Sequence, residues 1–108
     1  MPPGQGDECI YCQLIDNKEQ LMLVGETEHF YAWLEVQPRA RGHTQVVPKE
    51  HIESVMELDP QQYQEAMKLV REVVEKAQDG LGADGASVTM NIGESGGQMM
   101  PHMYISVF

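Results

Sequence analysis

The sequence predicts an α+β fold: a five-stranded, mainly antiparallel sheet with one long helix and one short helix. Three observations predict it. The last seven residues, His102 to Phe108, alternate polar and apolar with period two, the signature of a strand with two different faces. From Pro60 to about Asp79, apolar residues recur at three- and four-residue steps, the signature of an amphipathic helix. Strand-like runs stand before and after that helix, an order that gives an α+β domain with a largely antiparallel sheet.

Residues 1–8, rich in Pro and Gly, read as a flexible arm, and residues 9–108 as a single domain. Cys9 to Ile15 suits a short helical turn. Leu21–Val24 and His29–Val36 are apolar, aromatic and β-branched runs that predict a hairpin turning through Gly25-Glu26-Thr27-Glu28. Thr44–Val47 follows as a third strand closed by Pro48, and Glu50–Met56 carries a short helical signal. The long helix opens on Asp59, a good N-cap, with Pro60 at the first helical position. Its stripe comprises Tyr63, Ala66, Met67, Val70, Val73, Val74 and Ala77, and Gly80 is placed to end it. Ala86–Asn91 is the fourth strand, Gly93–Gln98 a loop, and Pro101–Phe108 the fifth strand, with Pro101 where a missing N–H does least harm. On that last strand His102, Tyr104 and Ser106 share one face, and Met103, Ile105 and Val107 the other.

At 108 residues with 42% hydrophobic content, the chain suffices for one core. A net charge of −10 disfavours nucleic acid and anionic membrane as partners, although Arg39, Arg41, His43 and Lys49 form a local basic exception. No apolar run reaches membrane-spanning length and the first residues lack the marks of a signal peptide, so a cytoplasmic protein is expected. Cys9 and Cys12 are the only cysteines. In a reducing compartment, Cys-x-x-Cys spacing points to metal ligands or a redox dithiol more often than to a structural disulfide.

Four segments, taken in order and spacing, resemble the histidine-triad (HIT) family over nearly the whole chain. They are Cys9-Ile10-Tyr11-Cys12-Gln13-Leu14-Ile15; Glu35-Val36-Gln37-Pro38 followed by Gly42 to His51; Asn91-Ile92-Gly93 with Gly96-Gly97-Gln98; and the terminal His102 to Phe108. The family's closing motif carries three histidines separated by apolar residues. Here the first is His102, the second is replaced by Tyr104, and the third by Ser106. The resemblance implies a HIT-like fold, a homodimer whose two sheets join, and a pocket for a nucleoside phosphate.

It assigns Glu35 to the acidic position that binds the ribose, where the family more often has Asp. Asn91, Gly97 and Gln98 take the places of the phosphate contacts, and Tyr104 stands where the nucleophile would lie. His43 matches a histidine that supports the nucleophile's geometry. Met99 occupies a position that often carries a small hydroxyl residue, and a thioether cannot donate the hydrogen bond that a hydroxyl can. Members with Cys-x-x-Cys also imply a structural zinc, one per chain, on Cys9, Cys12, His51 and His102; two thiolates and two imidazoles suit a closed tetrahedral site. Members of the family usually continue beyond the position of Phe108 with a basic residue and a tail that shapes substrate choice and the dimer.

In the family an imidazole attacks the α-phosphorus. Imidazole titrates near pH 6.5 and is available at neutral pH, whereas a phenol titrates near pH 10, so forming a phenolate at pH 7 costs about 4 kcal/mol. Nor is the serine hydroxyl an acid or base for that step. The expected function is therefore binding of a purine mononucleotide or related nucleoside phosphate, with catalysis lost or much weakened. Two alternatives stay open: a nucleotidyl hydrolase or phosphoramidase of low activity, and a zinc-stabilised protein-interaction module without a nucleotide pocket.

Overall fold

A computed structural model describes residues 9–17, 19, 21–35, 42–98 and 102–108. The predicted arm 1–8 lies outside the described residues, as do Val36, Gln37, Pro38, Arg39, Arg41, Met99 and Pro101. The described elements run α1 (Ile10–Asp16), β1 (Leu23–Glu26), β2 (Phe30–Leu34), β3 (Thr44–Pro48), α2 (Pro60–Leu81), β4 (Val88–Met90) and β5 (Ile105–Val107), with short 3-10 turns at Val55–Glu57 and Glu94–Gly96. The strands form one five-stranded sheet in the order β1-β2-β3-β5-β4, every neighbouring pair antiparallel. This is the predicted architecture, and no helix is long and apolar enough to cross a membrane.

The period-two pattern sorts side chains onto two covered faces. Phe30, Ala32, Val46, Ile105 and Val107 point to α2 and pack with Ala66, Leu69, Val70, Val73 and Met103. Tyr31, Trp33, Val47 and Tyr104 point the other way, onto Cys9 and Tyr11 of the N-terminal segment. The polar face expected for the last strand is therefore buried, with His102 at 0%, Tyr104 at 8% and Ser106 at 7% exposure.

Several boundaries differ from the sequence reading, each for a local reason. Gly25, expected in the hairpin turn, lies inside β1, opposite Ala32. A Cβ there would stand 2.9 Å from Leu69 Cδ1, so the missing side chain lets α2 approach the strand. The turn itself falls at residues 27–29, closed by Thr27 N donating to Phe30 O at 2.9 Å.

Asp59 caps α2 as expected and forms a reciprocal capping box with Gln62. The helix passes through Gly80 and ends where Gly82 takes the left-handed conformation at φ 69°. Its buried stripe is Ala66, Leu69, Val70 and Val73; Tyr63 and Met67, expected in it, are 45% and 39% exposed.

The last regular strand starts only at Ile105. Before it, Met103 N donates at 2.5 Å to Ile52 O in the segment after β3, which draws His102 toward that loop and out of the ladder.

Candidate functional site

The short helix α1 gathers the first cluster. Cys9 is its N-cap, and its Sγ accepts from Cys12 N at 3.2 Å, so one helical turn aims both sulfurs the same way. His51 arrives from the segment after β3 and His102 from the approach to β5. Cys12 Sγ lies 3.2 Å from His51 Nδ1 and 3.5 Å from His102 Nδ1, and Cys9 Sγ lies 3.4 Å from His102 Nδ1.

All four donor atoms fall within 4.8 Å of one another. A tetrahedral ion with bonds of about 2.0–2.3 Å separates its ligands by about 3.5 Å, so the donor set fits such an ion. The outer atoms agree. His102 Nε2 donates to Pro48 O at 3.0 Å, which leaves Nδ1 as the lone-pair atom facing the sulfurs. Burial, with the nearby His51 adding to it, lowers the His102 pKa to about 4 against the opposing hydrogen bond to Pro48, so this imidazole is neutral at physiological pH.

The second group lies on the same sheet face. Tyr104 Oη donates to Asn91 Oδ1 at 3.3 Å, and Asn91 Nδ2 donates to Gly96 O at 2.9 Å. Gly97 holds φ at 89°, and a Cβ on it would meet Asn91 Nδ2 at 3.2 Å, so only glycine fits this turn without strain. The Gln98 amide ties the loop down: its Oε1 accepts from Gly93 N at 2.9 Å and its Nε2 donates to Glu53 O at 2.6 Å. Three of the predicted binding residues are thus joined to the Tyr104 hydroxyl through Asn91 and the loop it braces.

Glu35 stands at the end of β2, half-buried, with its N–H donating to His43 O at 2.8 Å. His43 is buried, its ring 5.0 Å from the Phe108 ring. In the β3–β5 register, Val46 faces Ile105, so His43 lies four residues along the sheet from the level of Tyr104.

Three residues at this site escape the sequence reading. Tyr11 sits between the two cysteines and presents its ring edge-on to Trp33 at 5.8 Å, His102 at 5.8 Å and Tyr104 at 5.7 Å. Burial first, then the Glu35, Tyr104 and Cys9 charges, raises its phenol pKa above the ordinary value, which keeps it neutral. Gln45 is 5% exposed and bridges Ser106 and Glu35, each at 2.9 Å. A glutamine between Thr44 and Val46, on the in-facing parity of a strand, was the available signal. Trp33 offered less, because an aromatic in a strand is ordinary.

The HIT domain family model matches residues 17–108, beginning after both cysteines. Among relatives, a HIT-like protein of Methanocaldococcus jannaschii is 35% identical over 99 residues, covering 92% of this chain and 76% of the relative. The adenosine 5'-monophosphoramidase of Schizosaccharomyces pombe is 26% identical over 99 residues, covering 92% and 71%. Among solved structures, a hypothetical histidine triad nucleotide-binding protein from Sulfolobus tokodaii aligns with TM-score 0.85 at 35% identity, covering 93% of this chain and 67% of that one. A zinc-bound histidine triad family protein from Mycobacterium smegmatis aligns with TM-score 0.83 at 27% identity, covering 92% and 72%. With the family model spanning most of its length, and relatives and solved structures of the same family aligning over more than nine-tenths of it, this chain belongs to the HIT domain family.

Proposed function

We propose that this protein binds a purine mononucleotide or related nucleoside phosphate and has lost most or all of the family's catalysis. The observation that carries this reading is the linkage of Tyr104 to the Asn91–Gly96 loop, with the Glu35 carboxylate tied to Gln45 of β3. Gly97, with φ at 89°, leaves the loop backbone bare at that point, as a phosphate approaching main-chain N–H groups would require. Glu35 supplies a carboxylate that accepts hydrogen bonds from sugar hydroxyls. The Tyr104 hydroxyl is engaged as a donor to Asn91, a role that suits holding a loop or a phosphate oxygen rather than attacking phosphorus. Relatives described as nucleotide-binding and as a phosphoramidase support the ligand class.

The same reading gives Cys9, Cys12, His51 and His102 a zinc ion. With four protein ligands it has no open position, so its chemistry is to cross-link α1, the segment after β3 and the approach to β5. The zinc-bound Mycobacterium smegmatis neighbour supports that choice of metal. The reading also includes a homodimer joined at sheet edges: β4 is an edge strand, and Val88 and the nearby Ile92 are 42% and 46% exposed.

Elemental analysis of protein purified without added metal tests the zinc, with one equivalent per chain expected; less than about a tenth of that would end the proposal. Assay of a nucleoside phosphoramidate tests the chemistry. A rate above background that falls in Tyr104→Phe would favour the hydrolase reading instead.

A further inference from the structure

A hydrogen-bonded chain, buried at two of its three members, crosses three neighbouring strands at this site. Ser106 on β5, Gln45 on β3 and Glu35 at the end of β2 are linked in series: Ser106 Oγ donates to Gln45 Oε1, and Gln45 Nε2 donates to Glu35 Oε2, both at 2.9 Å. Ser106 and Gln45 are direct register partners and are 7% and 5% exposed.

The direction of this chain is determined. An ionised carboxylate only accepts, so it requires the NH2 end of the amide. That leaves the amide oxygen toward Ser106, whose hydroxyl is free to act as donor. Flipping the Gln45 amide would set two acceptors against each other at Glu35, a costly arrangement in a buried place. The Glu35 main chain is held as well, through its N–H to His43 O. A carboxylate pinned by its backbone and by one oxygen presents a fixed plane rather than a rotating one. Two buried polar side chains facing each other across a ladder destabilise a core unless they are mutually satisfied, and here they converge on the Glu35 carboxylate.

We propose that Gln45 and Ser106 are positioning residues that orient Glu35 for the vicinal diol of a ligand's sugar, and so set the preference for ribonucleotides over ligands lacking those hydroxyls. This rests on the nucleotide-binding reading above. The replacement at the third triad position then has a constructive role: Ser106 supplies the donor that fixes the amide.

The test is calorimetric titration of the zinc-loaded full chain and its variants with AMP and with 2′,3′-dideoxy-AMP. The wild-type chain is expected to prefer AMP by about tenfold, the scale of a hydrogen bond to a charged group. Gln45→Met keeps the volume and removes both hydrogen bonds; its preference should fall close to unity while its affinity for the dideoxy ligand stays within about twofold. Ser106→Ala should give an intermediate preference, and Ser106→Thr, which retains a hydroxyl, should keep that of the wild type.

Retention of the full preference in Gln45→Met, or equal weakening of both ligands, would overturn the proposal and leave the chain a structural tie. If Gln45→Met does not fold, Ser106→Ala decides on the same ratio. Wild-type binding of both ligands with equal affinity would also overturn it while leaving nucleotide binding intact. No binding of either ligand would instead overturn the reading on which it stands.

Discussion

Single side chains decide what this site can do. The Tyr104 hydroxyl is held by Asn91, and the serine that replaces the family's last triad histidine is spent on Gln45. Turnover of a nucleoside phosphoramidate should therefore stand at background in the wild-type chain and be unchanged in Tyr104→Phe. The double variant Tyr104→His with Ser106→His should raise it measurably, because an imidazole is an available nucleophile at neutral pH; a double variant that binds nucleotide but stays inert would show that more than the triad has been lost. Gly97 permits a second prediction at this scale. Its φ is 89°, and an added methyl would lie 3.2 Å from Asn91 Nδ2, so Gly97→Ala should cost about 1–2 kcal/mol of stability in urea unfolding. It should also weaken nucleotide binding, since the same loop lies beside Tyr104.

At the scale of elements, the hairpin β1–β2 meets α2 through Lys76 Nζ donating to Val24 O and through two further contacts that can be tested. The first is steric. Gly25→Ala would push a methyl to 2.9 Å from Leu69 Cδ1, and overpacking of this kind should destabilise by about 1–3 kcal/mol. The second is ionic. Glu65 on α2 accepts from Thr27 Oγ1, His29 N and His29 Nδ1 at 2.5, 2.7 and 2.8 Å.

Donating its hydrogen bond to Glu65 raises the His29 pKa above its ordinary 6.5. Partial burial works to raise the Glu65 pKa, but the hydrogen bonds from Thr27 and His29 outweigh it and bring the value below 4.5. The His29 contribution is complete below about pH 6.5 and fades as pH rises through its raised value; the Glu65 contribution is complete above about pH 4.5 and fades as pH falls through its lowered value. The pair thus stabilises most between about pH 4.5 and 6.5. The urea midpoint of His29→Gln should fall furthest below that of the wild type near pH 5.5, with the gap narrowing by pH 8.5; a constant gap would contradict the ionic account.

Most of the elements were legible in the sequence because periodicity survives folding: the five strands, the turn at the cysteines and the long helix are present, whereas the helical signal at Glu50–Met56 yields only a 3-10 turn at Val55–Glu57. Their ends were not. Gly25 and Gly80 look like turn and stop signals, yet one is a strand glycine under α2 and the other an interior helix residue. What distinguishes them is the distance to Leu69 and the left-handed turn available two residues on at Gly82, and neither is local sequence information. The four candidate metal ligands were readable as residue types in a familiar order. The contact of Tyr11 with Tyr104 and the Ser106–Gln45–Glu35 chain were not, since both depend on which residues meet across strands.

Over the whole molecule, the sheet carries a different layer on each face, α2 on one and the N-terminal segment on the other. The second layer is a seven-residue helix, too short to be stable alone, so its attachment depends on the Cys9, Cys12, His51 and His102 cluster and on Tyr11. Chelating a bound zinc should lower the melting temperature by more than about 10 °C, read by scanning calorimetry. It should also change the emission of Trp33, the only tryptophan, whose ring lies 5.8 Å from that of Tyr11. The central claim is that the nucleotide pocket outlived the triad. Calorimetric titration of folded, zinc-loaded protein with AMP and GMP tests it most directly. The account predicts saturable binding of at least one of them at micromolar to low millimolar affinity; the absence of binding heat with both, at more than one temperature, would contradict it and favour a protein-interaction module on a HIT scaffold.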